Sequence, residues 1–228
     1  MNRYKLISYD YTKNNDIITN IKSQITKYIN KNDSILTDNI DINTHKSTVL
    51  QYLNTYNANY TINHYYYFFY NYLVKDMNID FKNSVGIDYG CWAGISSIIL
   101  ALFECKKVYG YDFFPNNIID SMIDNIAPET KTIIEYNIIN KQPITNKVDW
   151  VLIYDVLTDF RSDNIIKEFT ELVDNFYNIL NKNGILLIAD FESNSRINIK
   201  NLLEILNKFK VNLYYNNNNM RFVIKAIK

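Results

Sequence analysis

Glycine is scarce in this chain, and the places it occupies constrain the fold more than any other feature. At the usual frequency a protein of 228 residues would hold roughly 16 glycines; this one holds 5. Four of them, Gly86, Gly90, Gly94 and Gly110, fall between Ser84 and Asp112. They sit in Ser84-Val-Gly-Ile-Asp-Tyr-Gly-Cys-Trp-Ala-Gly94 and in the Val108-Tyr-Gly-Tyr-Asp112 that follows. The fifth is predicted to close a helix at Leu180-Asn-Lys-Asn-Gly184. The pattern reads as strand, tight glycine turn, helix, then a second strand ending in an acid. That arrangement holds a nucleotide-like ligand at the carboxyl edge of a parallel sheet.

The rest of the chain supports an α/β reading. Residues 1–80 read as a helical extension, with Ile17, Ile18, Ile21, Ile25, Tyr28 and Ile29 at helical spacing, and Val49, Leu50, Leu53 and Tyr56 likewise. The aromatic run from about Ile62 to Met77 is apolar all round, which predicts a helix packed on the main domain. From Ser84 onward strand and helix alternate. Strands are predicted at 84–89, 107–112, 132–137, 149–154 and 185–190. Helices are predicted over Ile95–Phe103, from near Pro115, over about 164–181 and near 197–209. Val211-Asn-Leu-Tyr-Tyr215 and Arg221-Phe-Val-Ile-Lys-Ala-Ile227, joined by Asn216–Asn219, predict a hairpin. The expected fold is a Rossmann-like, mostly parallel sheet with helices on both faces and a C-terminal antiparallel β-hairpin, plus the N-terminal helical extension. The division is 1–80 for the extension, a lid or substrate region, and 81–228 for the ligand-binding domain.

Composition narrows the function. Lys+Arg and Asp+Glu are both 24, so nucleic acid is not favoured as a partner. The run Tyr65–Val74 is too short and too rich in tyrosine to span a bilayer. The N-terminal Met1-Asn-Arg-Tyr-Lys-Leu leads into no apolar leader. Cys91 and Cys105 are the only cysteines and lack metal-ligand spacing, which predicts free thiols and a cytoplasmic setting.

Several residues carry possible chemistry. Gly90 lets the chain turn sharply after the first strand, and Gly94 lets the next helix start close to the sheet. The free N–H groups of that helix then offer an anion site; a purely structural turn is the competing reading. A dinucleotide fingerprint needs glycine where Trp92 stands, which disfavours NAD. Asp112 ends the second strand, where an ionised carboxylate accepts both hydroxyls of a ribose; the alternative is a helix cap ahead of Pro115. Asp155 and Asp159 follow a strand at the carboxyl edge and are candidate catalytic acids or bases, or else solvated loop acids. His45 and His64 lie in the extension and are candidates of the same kind. The aromatic cluster at 65–70 reads as core packing of the extension or as a lid.

From Ser84 to Lys228 the chain resembles the class I S-adenosylmethionine-dependent methyltransferases. Val85–Gly94 looks like that family's first motif, and Val108-Tyr-Gly-Tyr-Asp-Phe-Phe-Pro-Asn-Asn-Ile-Ile119 like its ribose-binding second. Val148–Phe160 is similar to the fourth-strand motif, and Phe176–Ile188 to the helix, glycine turn and fifth strand that follow. The resemblance implies S-adenosylmethionine as cofactor. It implies cofactor contacts from Asp88, Gly90, Cys91, Trp92, Gly94, Asp112, Phe113, Asn137 or Ile138, and Tyr154. Trp92 replaces a family glycine, and its indole is expected to point away from the cofactor. Asn137 or Ile138 falls where the family often has an Asp at the adenine amine. No Asn/Asp-Pro-Pro-Tyr signature follows the fourth strand, so Tyr154-Asp-Val-Leu157 looks like the type that methylates small molecules. Transfer to an unidentified small-molecule acceptor is the leading reading. A non-catalytic subunit or relic that binds the cofactor is the alternative. An NAD-dependent oxidoreductase and an aminopropyltransferase rank lower. The acceptor and the oligomeric state are not legible.

Overall fold

The structure, a computed structural model, describes residues 4–6, 68–92, 94–112, 131–139, 144–158, 160, 162–192, 195–216 and 221–228. Phe113, Asp159, His45, His64, residues 65–67 and the helix expected from Pro115 lie outside the described residues.

Eight strands form one sheet: β1 (Tyr4–Leu6), β2 (Val85–Tyr89), β3 (Lys107–Asp112), β4 (Ile134–Ile138), β5 (Val148–Tyr154), β6 (Leu180–Phe191), β7 (Lys210–Asn216) and β8 (Arg221–Ile227). Their spatial order is β1-β7-β8-β6-β5-β2-β3-β4. Every pairing is parallel except those of β8, which runs antiparallel to both β6 and β7. This is the mostly parallel sheet with a terminal hairpin that the alternation predicts. The strand order reverses between β2 and β5, and ligands of open α/β sheets collect at the carboxyl ends of strands at such a point.

Two layers of helix cover the sheet. On one face lie α1 (Phe68–Asp76) and α2 (Ile95–Leu102); on the other lie α3 (Ile165–Ile179) and α4 (Ile199–Ile205). The alternation of the strands sorts the core between them. Trp150, Leu152 and Leu187 pack with Phe69, Leu73, Ile98 and Ile99 on the first face, whereas Val151, Ile153 and Ile188 pack with Phe169, Val173, Phe176 and Leu202 on the second. The reading of residues 1–80 as helical omits β1, which adds to the hairpin edge alongside β7. Helix α1, the end of that extension, is wound with π spacing: the Met77 N–H donates to the Tyr72 carbonyl at 2.8 Å. Its Phe69 and Leu73 are fully buried in the same core as the sheet.

Two glycines are set by packing rather than by turns. A Cβ on Gly86 would stand 1.9 Å from the Trp150 ring. Trp150 itself is anchored by its indole N–H, which donates to Ser84 Oγ at 2.8 Å. Gly184 does not close a helix. Helix α3 ends at Ile179, Leu180 is already extended, and residues between Leu180 and Ile185 bulge out of the β5–β6 pairing. The left-handed residue there is Asn183, at φ 64°; Gly184 is needed because a Cβ would come 2.9 Å from the Asn181 carbonyl.

Candidate functional site

The glycine turn joins β2 to α2 at the carboxyl edge and is clamped to the end of β3. The Gly90 and Cys91 N–H groups both donate to the Tyr111 carbonyl, at 2.7 and 3.2 Å. Gly90 and Gly94 adopt φ of 77° and 78°, the left-handed region that glycine enters without strain. Trp92, between them, adopts φ 43°, so a tryptophan holds a conformation natural to glycine. Its backbone N–H donates to Asp112 Oδ2 at 2.7 Å, and its half-buried indole packs against the core beneath α1 and α2.

Asp88 lies directly before this turn and is 1% exposed. The hydroxyls of Ser96 and Ser97, in the first turn of α2, both donate to its Oδ2 at 2.6 Å. Burial pushes its carboxyl up to about 6, against the two serine hydrogen bonds and with help from the nearby Asp112 charge. Cys91 is buried beside Gly110, whose Cβ would meet its Sγ at 3.0 Å, Ser97 Oγ at 3.2 Å and the Tyr136 ring at 3.2 Å. Gly110 thus makes room for a buried polar cluster under the turn. The Cys91 thiol is pushed far up by burial and then by the Asp88 and Asp112 charges, so it is no nucleophile at neutral pH.

Asp112 is 6% exposed, at the end of β3. Ile138 pairs with it in register, and the Ile139 N–H donates to its carbonyl at 2.8 Å. One step back, Asn137 pairs with Tyr111, and its Nδ2 is buried without a hydrogen-bond partner. A buried polar atom left unpaired costs stability, so this amide is where a ligand's hydrogen-bonding edge would be received. The O and N of such an amide exchange by a flip, so the group serves as donor or acceptor.

Beyond the switch point, Tyr154 ends β5 and Asp155 follows it. Asp155 takes a left-handed φ of 53°, and the guanidinium of Arg221, at the start of β8, binds both its carboxylate oxygens at 2.8 and 2.7 Å. Arg221 also donates to the Tyr154 hydroxyl and lies over the Phe191 ring at 4.1 Å. Its side chain is 2% exposed and that of Asp155 31%. Burial raises the Asp155 carboxyl and the Arg221 charge opposes that rise. Asp190, next to last in β6, accepts from the Leu157 N–H at 2.9 Å and is raised to about 6, by burial first and then by Asp155. Phe69 of α1 meets Tyr154 edge-on at 5.4 Å, so the extension touches this side of the edge.

The structure therefore brings Asp88, Gly90, Cys91, Trp92, Gly94, Asp112, Asn137 and Ile138 together at the carboxyl ends of β2, β3 and β4. Tyr154 and Asp155 stand at the end of the neighbouring β5. Ser96, Ser97, Asp190 and Arg221 were not singled out in the sequence. Two serines opening the helix after the glycine turn, and a lone arginine leading an otherwise apolar strand, were the available signals.

No family model and no curated relative matches the sequence. Solved structures do. A proposed S-adenosylmethionine-dependent methyltransferase from Listeria monocytogenes shares 16% identity at a TM-score of 0.52, over 68% of this chain and 96% of its own. A proposed O-methyltransferase from Nostoc punctiforme shares 13% identity at a TM-score of 0.59, over 93% of this chain and 69% of its own. The fold is that of the class I methyltransferases. The same fold also carries other chemistry: the [4+2]-cyclase SpnF shares 12% identity at a TM-score of 0.51, over 64% of this chain and 75% of its own.

Proposed function

We propose that this protein is an S-adenosylmethionine-dependent methyltransferase acting on a small-molecule acceptor. The observation that carries the reading is the convergence, at the switch point of a methyltransferase fold, of the Gly90–Gly94 turn, the Asp112 carboxylate and the unpartnered Asn137 amide. These groups fit the cofactor. Asp112 receives the ribose hydroxyls while steadying the turn through Trp92. Asn137 receives the edge of the adenine, with Ile138 and Phe113 as apolar neighbours. The N-terminus of α2 and the turn receive the charged amino-acid end. When bound, the cofactor supplies an electrophilic methyl group on sulfur.

On the acceptor side the work is positioning. Holding a nucleophile about 3 Å from a methyl carbon in a dry pocket accounts for most of the acceleration in such a displacement. Tyr154, fixed by Phe69 and Arg221, and Asp155, fixed by Arg221, form a rigid floor beside the cofactor site. Asp155, its charge balanced by Arg221, orients an acceptor hydroxyl or amine by accepting its hydrogen bond; Asp159 is the second candidate for that role. Residues 1–80 cover this edge, a reading supported by the burial of Phe69 against Tyr154. Calorimetry with S-adenosylmethionine, S-adenosylhomocysteine and NAD tests the cofactor: binding of the first two and not the third is expected, and NAD binding alone would overturn the reading. Transfer of label from methyl-labelled cofactor into a small-molecule extract tests catalysis. A second reading, a cofactor-binding protein without transfer, is favoured by Trp92 in the glycine position. Binding with no label transferred into any extract fraction would select it.

A further inference from the structure

We propose that Asp88, a carboxylate buried beneath the glycine turn without a basic partner, makes this site favour the cationic cofactor over its neutral demethylated product. The inference rests on the reading of the carboxyl-edge site as a sulfonium-cofactor site. In methyl transfer the carbon–sulfur electron pair stays on sulfur, the acceptor atom bonds the methyl carbon, and the acceptor gives up a proton. The cofactor enters with one net positive charge, and its product leaves with none.

Among the described residues, no charged basic side chain stands beside Asp88 to cancel its own charge. Its two hydrogen bonds, from Ser96 and Ser97, both end on Oδ2, and no lysine, arginine or histidine of the described residues pairs with it. Its register neighbours across the sheet are Gly110 and Leu152. Helix α2, packed above it, is Ile-Ser-Ser-Ile-Ile-Leu-Ala-Leu, without a charged side chain. The partial positive charge of its N-terminus, about half a unit, is outweighed by the two carboxylates Asp88 and Asp112. The titratable groups facing it are Asp112 on β3, Cys91 in the turn and Tyr136 on β4. The thiol and the phenol are held protonated, by burial first, with the Asp88 and Asp112 charges adding to the rise in each. The space beside the turn is therefore one of negative potential in a low-dielectric setting, where a single charge is felt over several ångströms. A ligand that differs only by a positive charge is discriminated there without any contact to the methyl group. Such a site releases its neutral product more readily than it would the cationic cofactor.

Calorimetry with S-adenosylmethionine and S-adenosylhomocysteine, on the full chain, tests this. At about pH 7, Asp88→Asn should weaken the cationic cofactor about tenfold more than the neutral product, the effect of one unit charge across a partly buried site. For the wild type, the affinity ratio of the two ligands should fall as pH is lowered to about 5.5, because Asp88 takes up a proton near 6; in Asp88→Asn the ratio should stay level. Ser97→Ala removes a hydrogen bond that favours the carboxylate, so it should move the fall of the ratio to higher pH. Equal losses for both ligands in a folded Asp88→Asn would overturn the proposal. If that variant does not fold, an unshifted profile in Ser97→Ala overturns it instead. Wild-type protein that binds neither ligand would instead sink the cofactor reading, so the two failures are distinct.

Discussion

Asp112 holds two positions at once. Its Oδ2 accepts from the Trp92 N–H at 2.7 Å and so steadies a tryptophan at φ 43°, while its place at the end of β3 suits it to a ribose. Asp112→Ala should therefore cost both binding and folding. Loss of two charge-assisted bonds predicts S-adenosylmethionine affinity lower by about 30- to 1000-fold. Loss of the acceptor for a part-buried N–H predicts about 1–3 kcal/mol less stability. Asp112→Asn keeps one acceptor, so it should fold almost normally and still bind weakly. Calorimetry beside urea denaturation reads both effects, and equal affinities for wild type and Asp112→Ala would remove the ribose assignment. The acid was legible in the sequence because a strand end followed by a turn is a local pattern. The Arg221–Asp155 pair was not, because it depends on which strands the sheet order brings together; in the Asp88–Ser96–Ser97 cluster the residues are near in sequence, but the return of both hydroxyls onto Asp88 depends on how α2 starts after the glycine turn. Arg221 and Asp155 are far apart in sequence and meet only because β8 inserts beside β6.

At the scale of elements, β2, β3, β4, β5, β7 and β8 were legible to within two residues at each end, whereas β6 begins at Leu180, five residues before the apolar run that marks it. What the pattern missed is what local chemistry does not mark. Three residues of β1 carry no period, and the π winding of α1 comes from packing an all-apolar segment, not from a spacing. Helix α3 ends at Ile179, two residues before the expected 181, and the left-handed conformation beyond it belongs to Asn183, not to the Gly184 expected to close the helix. Asn183→Gly should then stabilise the protein by up to ~1 kcal/mol, since glycine enters that region without strain. A lower denaturation midpoint would contradict it. Gly86→Ala tests the opposite constraint. A methyl group 1.9 Å from the Trp150 ring must displace a side chain that is 1% exposed and hydrogen-bonded to Ser84. A loss of at least ~2–3 kcal/mol is expected, and a change below ~0.5 kcal/mol in denaturation would show that the indole moves freely.

For the molecule as a whole, keeping carboxylates out of water at the sheet's carboxyl edge sets how stability follows pH. Asp88 is next to last in β2 and Asp190 next to last in β6, both are 1% exposed, and each carboxyl lies near 6 in the folded chain against an ordinary 3.8. Between those values the folded state holds protons that the unfolded chain has released. The sign follows from linkage: their contribution is fully present below 3.8 and is lost as pH rises through about 6. Each group accounts for ~3 kcal/mol over that interval. Asp155, raised by burial in the same direction, adds to the trend. Urea denaturation from about pH 4 to about pH 7 should therefore show stability declining toward neutrality, where most proteins are near their best. Asp88→Asn and Asp190→Asn should each flatten the decline, whatever they do to stability at a single pH, because each removes one of the protons taken up. A wild-type profile that rises toward pH 7, or a slope unchanged in both variants, would mean that these acids are ionised in the folded protein at ordinary values and that their burial is relieved by water. The decline is what a site built to hold negative charge beside a cationic ligand entails: the charge is kept at a cost to the empty protein, and a bound cation offsets it.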